Sequence, residues 1–120
     1  RVNTGDFGFS NDHTVAFPDS YPLSAGHTPL IPRVHEAGLF ELDAATRAGR
    51  WQPVDAIQSH LSETLAPDGF NIGVNVRAAA CQTIPHPHVH VIPRTAGDVA
   101  DPRGGVRWAI RNKAPYWEQH

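Results

Sequence analysis

Methionine is absent from this chain, and cysteine occurs once, at Cys81. A lone cysteine excludes an intrachain disulfide framework and a cysteine-rich zinc site, and it is compatible with a cytoplasmic protein. The missing methionine, even at the first position, points to a trimmed chain or to a fragment that begins after a processed segment. Neither sign of charge dominates: ten Lys and Arg stand against twelve Asp and Glu, a formal net charge of -2 with histidine neutral. That excludes a general basic field for wrapping nucleic acid, so no nucleic-acid partner is expected, while a small anion can still bind locally. No apolar run approaches the length of a membrane span, no membrane partner is expected, and residues 1–12 hold no signal-peptide core. Internal repeats and low-complexity tracts are also missing. What is present is a 120-residue chain, 40% apolar and 18% charged, long enough to bury a core as one domain. Residues 1–12 read as a flexible lead-in and residues 13–120 as that single domain.

Breakers and periodicity divide the chain. Thr14 to Phe17 reads as a short strand ended by Pro18, and His27 to Ile31 as a second, stopped by Pro32. Pro29 cannot donate to a ladder, so the second strand is expected at a sheet edge. His35 to Leu42 is expected to hold one helical turn. The main helix runs from about Asp43 to Ala66, with Trp51, Val54, Ile57, Leu61 and Leu65 as its apolar stripe and with Gly49 and Pro53 as points where it can split. Phe70 to Val76 alternates: Phe70, Ile72, Val74 and Val76 share one face, Asn71, Gly73 and Asn75 the other. Residues 77–82 form a connection rich in small residues, and Val106 to Ile110 reads as a last short strand. A few antiparallel strands with one main helix and a short one imply an α+β fold.

The chemistry concentrates in Ile84-Pro85-His86-Pro87-His88-Val89-His90-Val91-Ile92. The β-branched residues mark a strand, and side chains two apart on a strand share a face, so His86, His88 and His90 line up. Three imidazoles side by side need partners for their nitrogens. Three readings fit: divalent metal ligation, covalent phosphoryl or nucleotidyl transfer, or a histidine-rich strand without a special task. Against metal, no Asp, Glu or Cys near the triad completes a ligand set.

The residues around the triad resemble the histidine triad (HIT) family of nucleotide hydrolases and transferases, whose signature alternates histidine with apolar residues as His86-Pro87-His88-Val89-His90-Val91-Ile92 does here. Gln82-Thr83 stands where that family has a Gln-Ser/Thr pair. Asn75, eleven residues before His86, stands where it has an amide near the scissile phosphate. Gly26-His27-Thr28 with Ile31-Pro32-Arg33 matches an upstream segment, and Asp19, eight residues before His27, matches a position that binds ribose hydroxyls. The match covers roughly Val15 to Arg94. Pro93-Arg94 followed by Ala96-Gly97-Asp98 looks closer to the dinucleoside-polyphosphate hydrolase branch than to the phosphoramidase branch. Two departures stand out: Cys81 replaces a glycine, and Val76-Arg77 replaces an acidic residue followed by glycine.

The resemblance implies a HIT-like fold and assigns roles. His88 is the nucleophile toward an α-phosphorus, and His90 orients it. His86 and His27 contact phosphate oxygens or the leaving group. Asn75, Gln82 and Thr83 donate to phosphate oxygens, and Asp19 accepts from the ribose. Phe17 and Leu39 are candidates for a purine-facing wall. A purine nucleotide substrate is implied as the ligand and a homodimer as the assembly, with no metal and no cofactor. His35 is expected to be structural and His60 solvated. His13 and His120 receive no role. Trp108, Tyr116 and Trp117 are candidates for covering an interface or the substrate.

Overall fold

The computed structural model describes residues 9–10, 14–16, 22–32, 43–49, 51–80 and 88–118. Among the described residues, five strands form one antiparallel sheet: β1 (Phe9–Ser10), β2 (Thr14–Ala16), β3 (Thr28–Pro32), β4 (Gly69–Val74) and β5 (Val89–Arg94), in the order β1-β2-β3-β5-β4. Among the same residues, two α-helices, α1 (Ala44–Gly49) and α2 (Gln52–Leu65), lie between β3 and β4 in the chain. The architecture is the α+β type expected from the sequence. β1 falls inside the segment read as a lead-in and pairs Phe9 with Ala16.

Alternation gives the sheet two different faces. On β5, Val89, Val91 and Pro93 are buried while His90, Ile92 and Arg94 are half-buried. Register then extends each face across the sheet: Val89 pairs with Leu30 on β3 and with Val74 on β4, and Leu30 pairs with Ala16 on β2. That row meets Val54, Ile57 and Leu61 of α2 to form the core, with Leu65, Phe70, Ile72 and Val74 packed around it. Ile57, Leu61 and Val91 are at most 1% exposed, and burying such a side chain stabilises by roughly 1.5–3 kcal/mol. The opposite face carries His88 and His90.

The split helix follows from its sequence. Asp43 caps α1 by accepting from the Thr46 backbone N–H at 2.8 Å, which holds its carboxyl below the usual value. Pro53 sits in the first turn of α2, where its missing N–H costs no helical bond. α2 ends at Ala66, in the left-handed conformation typical of a helix stop.

Four expectations change. Trp51 precedes α2 and is 51% exposed, so the buried stripe begins at Val54. β3 is interior rather than an edge: it pairs with β2 on one side and with β5 on the other, where Pro29 stands opposite His90. β4 stops at Val74 rather than continuing to Val76. Residues 105–109 form a 3-10 turn rather than a strand. Gly104 and Gly105 enter it at positive φ, and the Arg107 guanidinium reaches the carbonyls of Lys113 and Ala114, which folds the segment on itself. The turn expected within residues 35–42 lies outside the described residues.

Among the described glycines, Gly26 has the tightest steric demand. Its φ is +87°, and a Cβ there would lie 2.5 Å from Leu65 and 3.2 Å from Leu61. Gly26→Ala is expected to destabilise the fold by about 2 kcal/mol, read as a lower midpoint in urea unfolding with an unchanged slope.

Candidate functional site

Gly26 matters because it delivers His27 to the sheet. The turn before β3 is pinned by the Ser24 hydroxyl donating to the Pro93 carbonyl at 2.7 Å and by the Thr28 hydroxyl donating back to Gly26 at 2.7 Å. His27 is only 5% exposed. The Leu23 backbone N–H donates to His27 Nδ1 at 3.1 Å, and His27 Nε2 lies 2.9 Å from His90 Nδ1. These contacts fix proton positions. A backbone amide can only donate, so neutral His27 carries its hydrogen on Nε2 and donates it to His90 Nδ1. Neutral His90 then carries its own hydrogen on Nε2.

His88 completes the row. Its ring lies edge-on to His90, with centroids 4.9 Å apart, and the His27 and His90 centroids are 5.1 Å apart. The Val74–Val89 pairing places Asn75 and His88 one residue beyond the same rung, at one end of the sheet. A concavity of about 410 Å³ opens on this face, bordered by His27, Gly73, Asn75 and His90 and, from the C-terminal segment, by Val106 and Ala109.

Four expected site residues, His27, Asn75, His88 and His90, are therefore found on one face. Asp19, Gln82, Thr83 and His86 lie outside the described residues, as do Cys81, Phe17, Leu39, His13, His35 and His120. His60 lies exposed on α2. Both nitrogens of His27, the residue expected to contact phosphate oxygens or the leaving group, are engaged within the protein. The sequence reading missed Leu23, which acts through its backbone, together with Val106 and Ala109. Gly73, opposite His90 in the register, was placed on the correct face by alternation alone.

Arg77 sits just past Asn75 with φ +67°. A non-glycine residue in that region costs roughly 1–2 kcal/mol, which explains why glycine suits a position where this chain has arginine. Farther along the same face, Arg94 donates to Asn71 Oδ1 at 2.6 Å and to both carboxylate oxygens of Asp98 at 2.7 and 2.8 Å. The Arg94 hydrogen bond is the main cause holding Asp98 down at about 2. Among the described residues, no group of three His, Cys, Asp or Glu side chains stands close enough to hold a metal ion.

The HIT domain family model matches residues 1–97. An adenylylsulfatase of Arabidopsis thaliana is 36% identical over 90 residues, 75% of this chain and 46% of that one. An asymmetrical bis(5'-nucleosyl)-tetraphosphatase of Schizosaccharomyces pombe is 30% identical over 88 residues, 73% of this chain and 48% of that one. A zinc-bound histidine triad family protein from Mycobacterium smegmatis superposes with a TM-score of 0.72 at 33% identity, covering 80% of this chain and 70% of that one. The chain spans between 46% and 65% of the length of the first curated relatives it matches.

Two measurements test the geometry. Nitrogen-15 NMR of the neutral protein should show His27 and His90 both protonated on Nε2, and an Nδ1–H tautomer for either would contradict the hydrogen-bond order. Carbon NMR should show the Asp98 carboxylate titrating at about 2. Because that value is depressed, the stability it contributes is present above the unfolded carboxylate range and is lost as pH falls through about 2. Arg94→Met should return the midpoint toward the ordinary carboxylate value.

Proposed function

Because this chain belongs to the histidine triad family, we propose that it is a nucleotide hydrolase or nucleotidyl transferase acting at the α-phosphorus of a nucleoside phosphate, with His88 as the nucleophile. The observation that carries this reading is the ordered row His27–His90–His88 beside Asn75. A nitrogen of neutral His88 attacks phosphorus, and the bond to the leaving group breaks. The leaving atom takes the electron pair and a proton. Water or another acceptor then attacks phosphorus, the phosphorus–nitrogen bond breaks with its electron pair returning to the ring, the acceptor gives up its proton, and the nucleotide leaves with the imidazole restored. Splitting one displacement into two is the general gain of covalent catalysis.

His90, held by His27, orients His88. His86, Gln82 and Thr83 complete the phosphate contacts together with the Asn75 amide, a donor that stabilises charge on the oxygens. Asp19 selects the ribose of a purine nucleotide. No metal or cofactor is required for these steps. The names of the two relatives, one an adenylylsulfatase and one a tetraphosphatase, support a nucleoside phosphate substrate and leave the leaving group open. Dinucleoside polyphosphates, favoured by the Pro93-Arg94 to Asp98 segment, are the first candidates.

Assembly as a homodimer also belongs to this reading. It is supported by family membership and by the exposed Trp108, Ile110 and Tyr116. Sedimentation equilibrium at micromolar concentration should give twice the chain mass. No helix among the described residues is long and apolar enough to cross a membrane, and the single cysteine supports a cytoplasmic location.

The deciding experiment is brief incubation with dinucleoside polyphosphates and nucleoside phosphoramidates, followed by mass spectrometry of the intact protein and its peptides. A nucleotidyl adduct on His88 is expected. His88→Ala should lose the adduct and about 10⁴-fold or more in turnover while keeping its fold. Nucleotide binding with no turnover of any substrate would instead mark a binding module without catalysis.

A further inference from the structure

Two non-glycine residues among those described have a positive φ, Ala66 and Arg77. Ala66 closes α2, where its backbone N–H donates to the Ser62 carbonyl. Arg77 closes no helix. It follows β4 by three positions, is exposed, and accepts the Ala80 N–H on its carbonyl at 3.1 Å as the chain enters a 3-10 turn at Ala78–Ala80. A φ of +67° is strained for arginine, and strain of this kind gathers at functional sites.

Its place in the fold is at the end of the sheet where the phosphate contacts gather. Val74 and Val89 form the last rung of β4 with β5, so Asn75 and His88 open the connection between the two strands from either side. Residues 75–88 carry Asn75, Gln82, Thr83, His86 and His88, each already given to the phosphate or to its attack. Two peptide units separate Asn75 from Arg77, so their Cα atoms lie no more than about 8 Å apart.

Charge sets this arginine apart. Residues 69–97 contain no Asp or Glu, and their cations are Arg77 and Arg94. Arg94 is ion-paired with Asp98. No Lys or Arg borders the 410 Å³ concavity among the described residues. On the C-terminal arm, the Arg103 guanidinium lies 4.4 Å over the Trp117 ring and pairs with Asp101. That of Arg107 lies 4.8 Å over Tyr116 and donates to two carbonyls. A dinucleoside polyphosphate brings further negative charges past the α-phosphorus, and neutral imidazoles do not offset them. Moving such charges into a site without a counter-charge is costly, and a guanidinium can meet a phosphate with two parallel hydrogen bonds.

We propose that Arg77 is a specificity-determining contact for the phosphates beyond the scissile bond, and that it tunes the site toward nucleoside polyphosphates over nucleotides joined to an uncharged leaving group. This deepens the nucleotidyl-transfer reading and rests on it. The His88 nitrogen bonds to the α-phosphorus, and the bond from that phosphorus to the bridging oxygen breaks. The bridging oxygen takes the electron pair and a proton and leaves on the distal phosphate, which Arg77 holds. The strained φ is retained because it sets a long cation close to Asn75, at a position that otherwise suits glycine.

The test uses the full chain and two substrates sharing one nucleoside, a dinucleoside tetraphosphate and an unsubstituted phosphoramidate. In both Arg77→Ala and Arg77→Gly, the ratio of tetraphosphate to phosphoramidate kcat/KM should fall about tenfold, mainly through KM. The glycine variant relieves the backbone as well as removing the charge, so it separates the two causes. A ratio unchanged in both variants, through equal slowing or through none, would overturn the assignment. So would a ratio lost in Arg77→Ala and restored in Arg77→Gly, since the effect would then belong to backbone geometry. Should the wild-type chain turn over neither substrate, the enzymatic reading fails, and calorimetry with a nucleoside tetraphosphate and the matching monophosphate decides the contact separately. Tetraphosphate binding that weakens about tenfold relative to monophosphate binding in Arg77→Gly supports it. Equal weakening of both ligands, or of neither, overturns it.

Discussion

The hydrogen bond between His27 and His90 joins the end of one turn to the beginning of a strand 63 residues later, and the site depends on that meeting. It exists only if β3 and β5 keep the register that sets Thr28 against Val91. A slip of one residue would turn His90 toward α2 and expose the valines beside it. The apolar row from Ala16 through Leu30 and Val89 to Val74 opposes such a slip, since every member would leave the core together. Packing on one side of the sheet thus holds the proton arrangement on the other.

Much of this was legible in the chain itself. Alternation on β4 and β5 placed Asn75, Gly73, His88 and His90 correctly because a half-buried strand writes its two faces into its sequence. Pro53 marked a point where the helix read from Asp43 to Ala66 divides, for the same kind of reason, a backbone constraint tied to one residue type. Arg77 was readable as a departure, but only its positive φ shows what the replaced glycine was for.

What was not legible depended on contacts without periodicity. The interior position of β3 was hidden by Pro29, a residue type that marks edges. Pro93 also lies on an interior strand: it pairs with Phe70 on β4 while the ladder of β5 with β3 has already ended at Val91. The C-terminal arm is a chain of short turns closed by side chain-to-carbonyl bonds and stacked cations, so Val106 to Ile110 looked like a strand. Membership of the HIT family fixes the fold and the histidine row, but its match ends before this arm. The described site therefore joins an inherited floor to a wall drawn from outside the matched domain.

The amide of Leu23 has a consequence for how this site tolerates mutation. The group that decides which nitrogen of His27 holds the hydrogen belongs to the backbone, and every amino acid except proline supplies the same donor. The side chain at position 23 is 76% exposed and borders the concavity. Its size and polarity can therefore be altered as substrates change while the proton order beneath it is inherited intact. One position carries a variable contact on its side chain and an invariant instruction on its main chain.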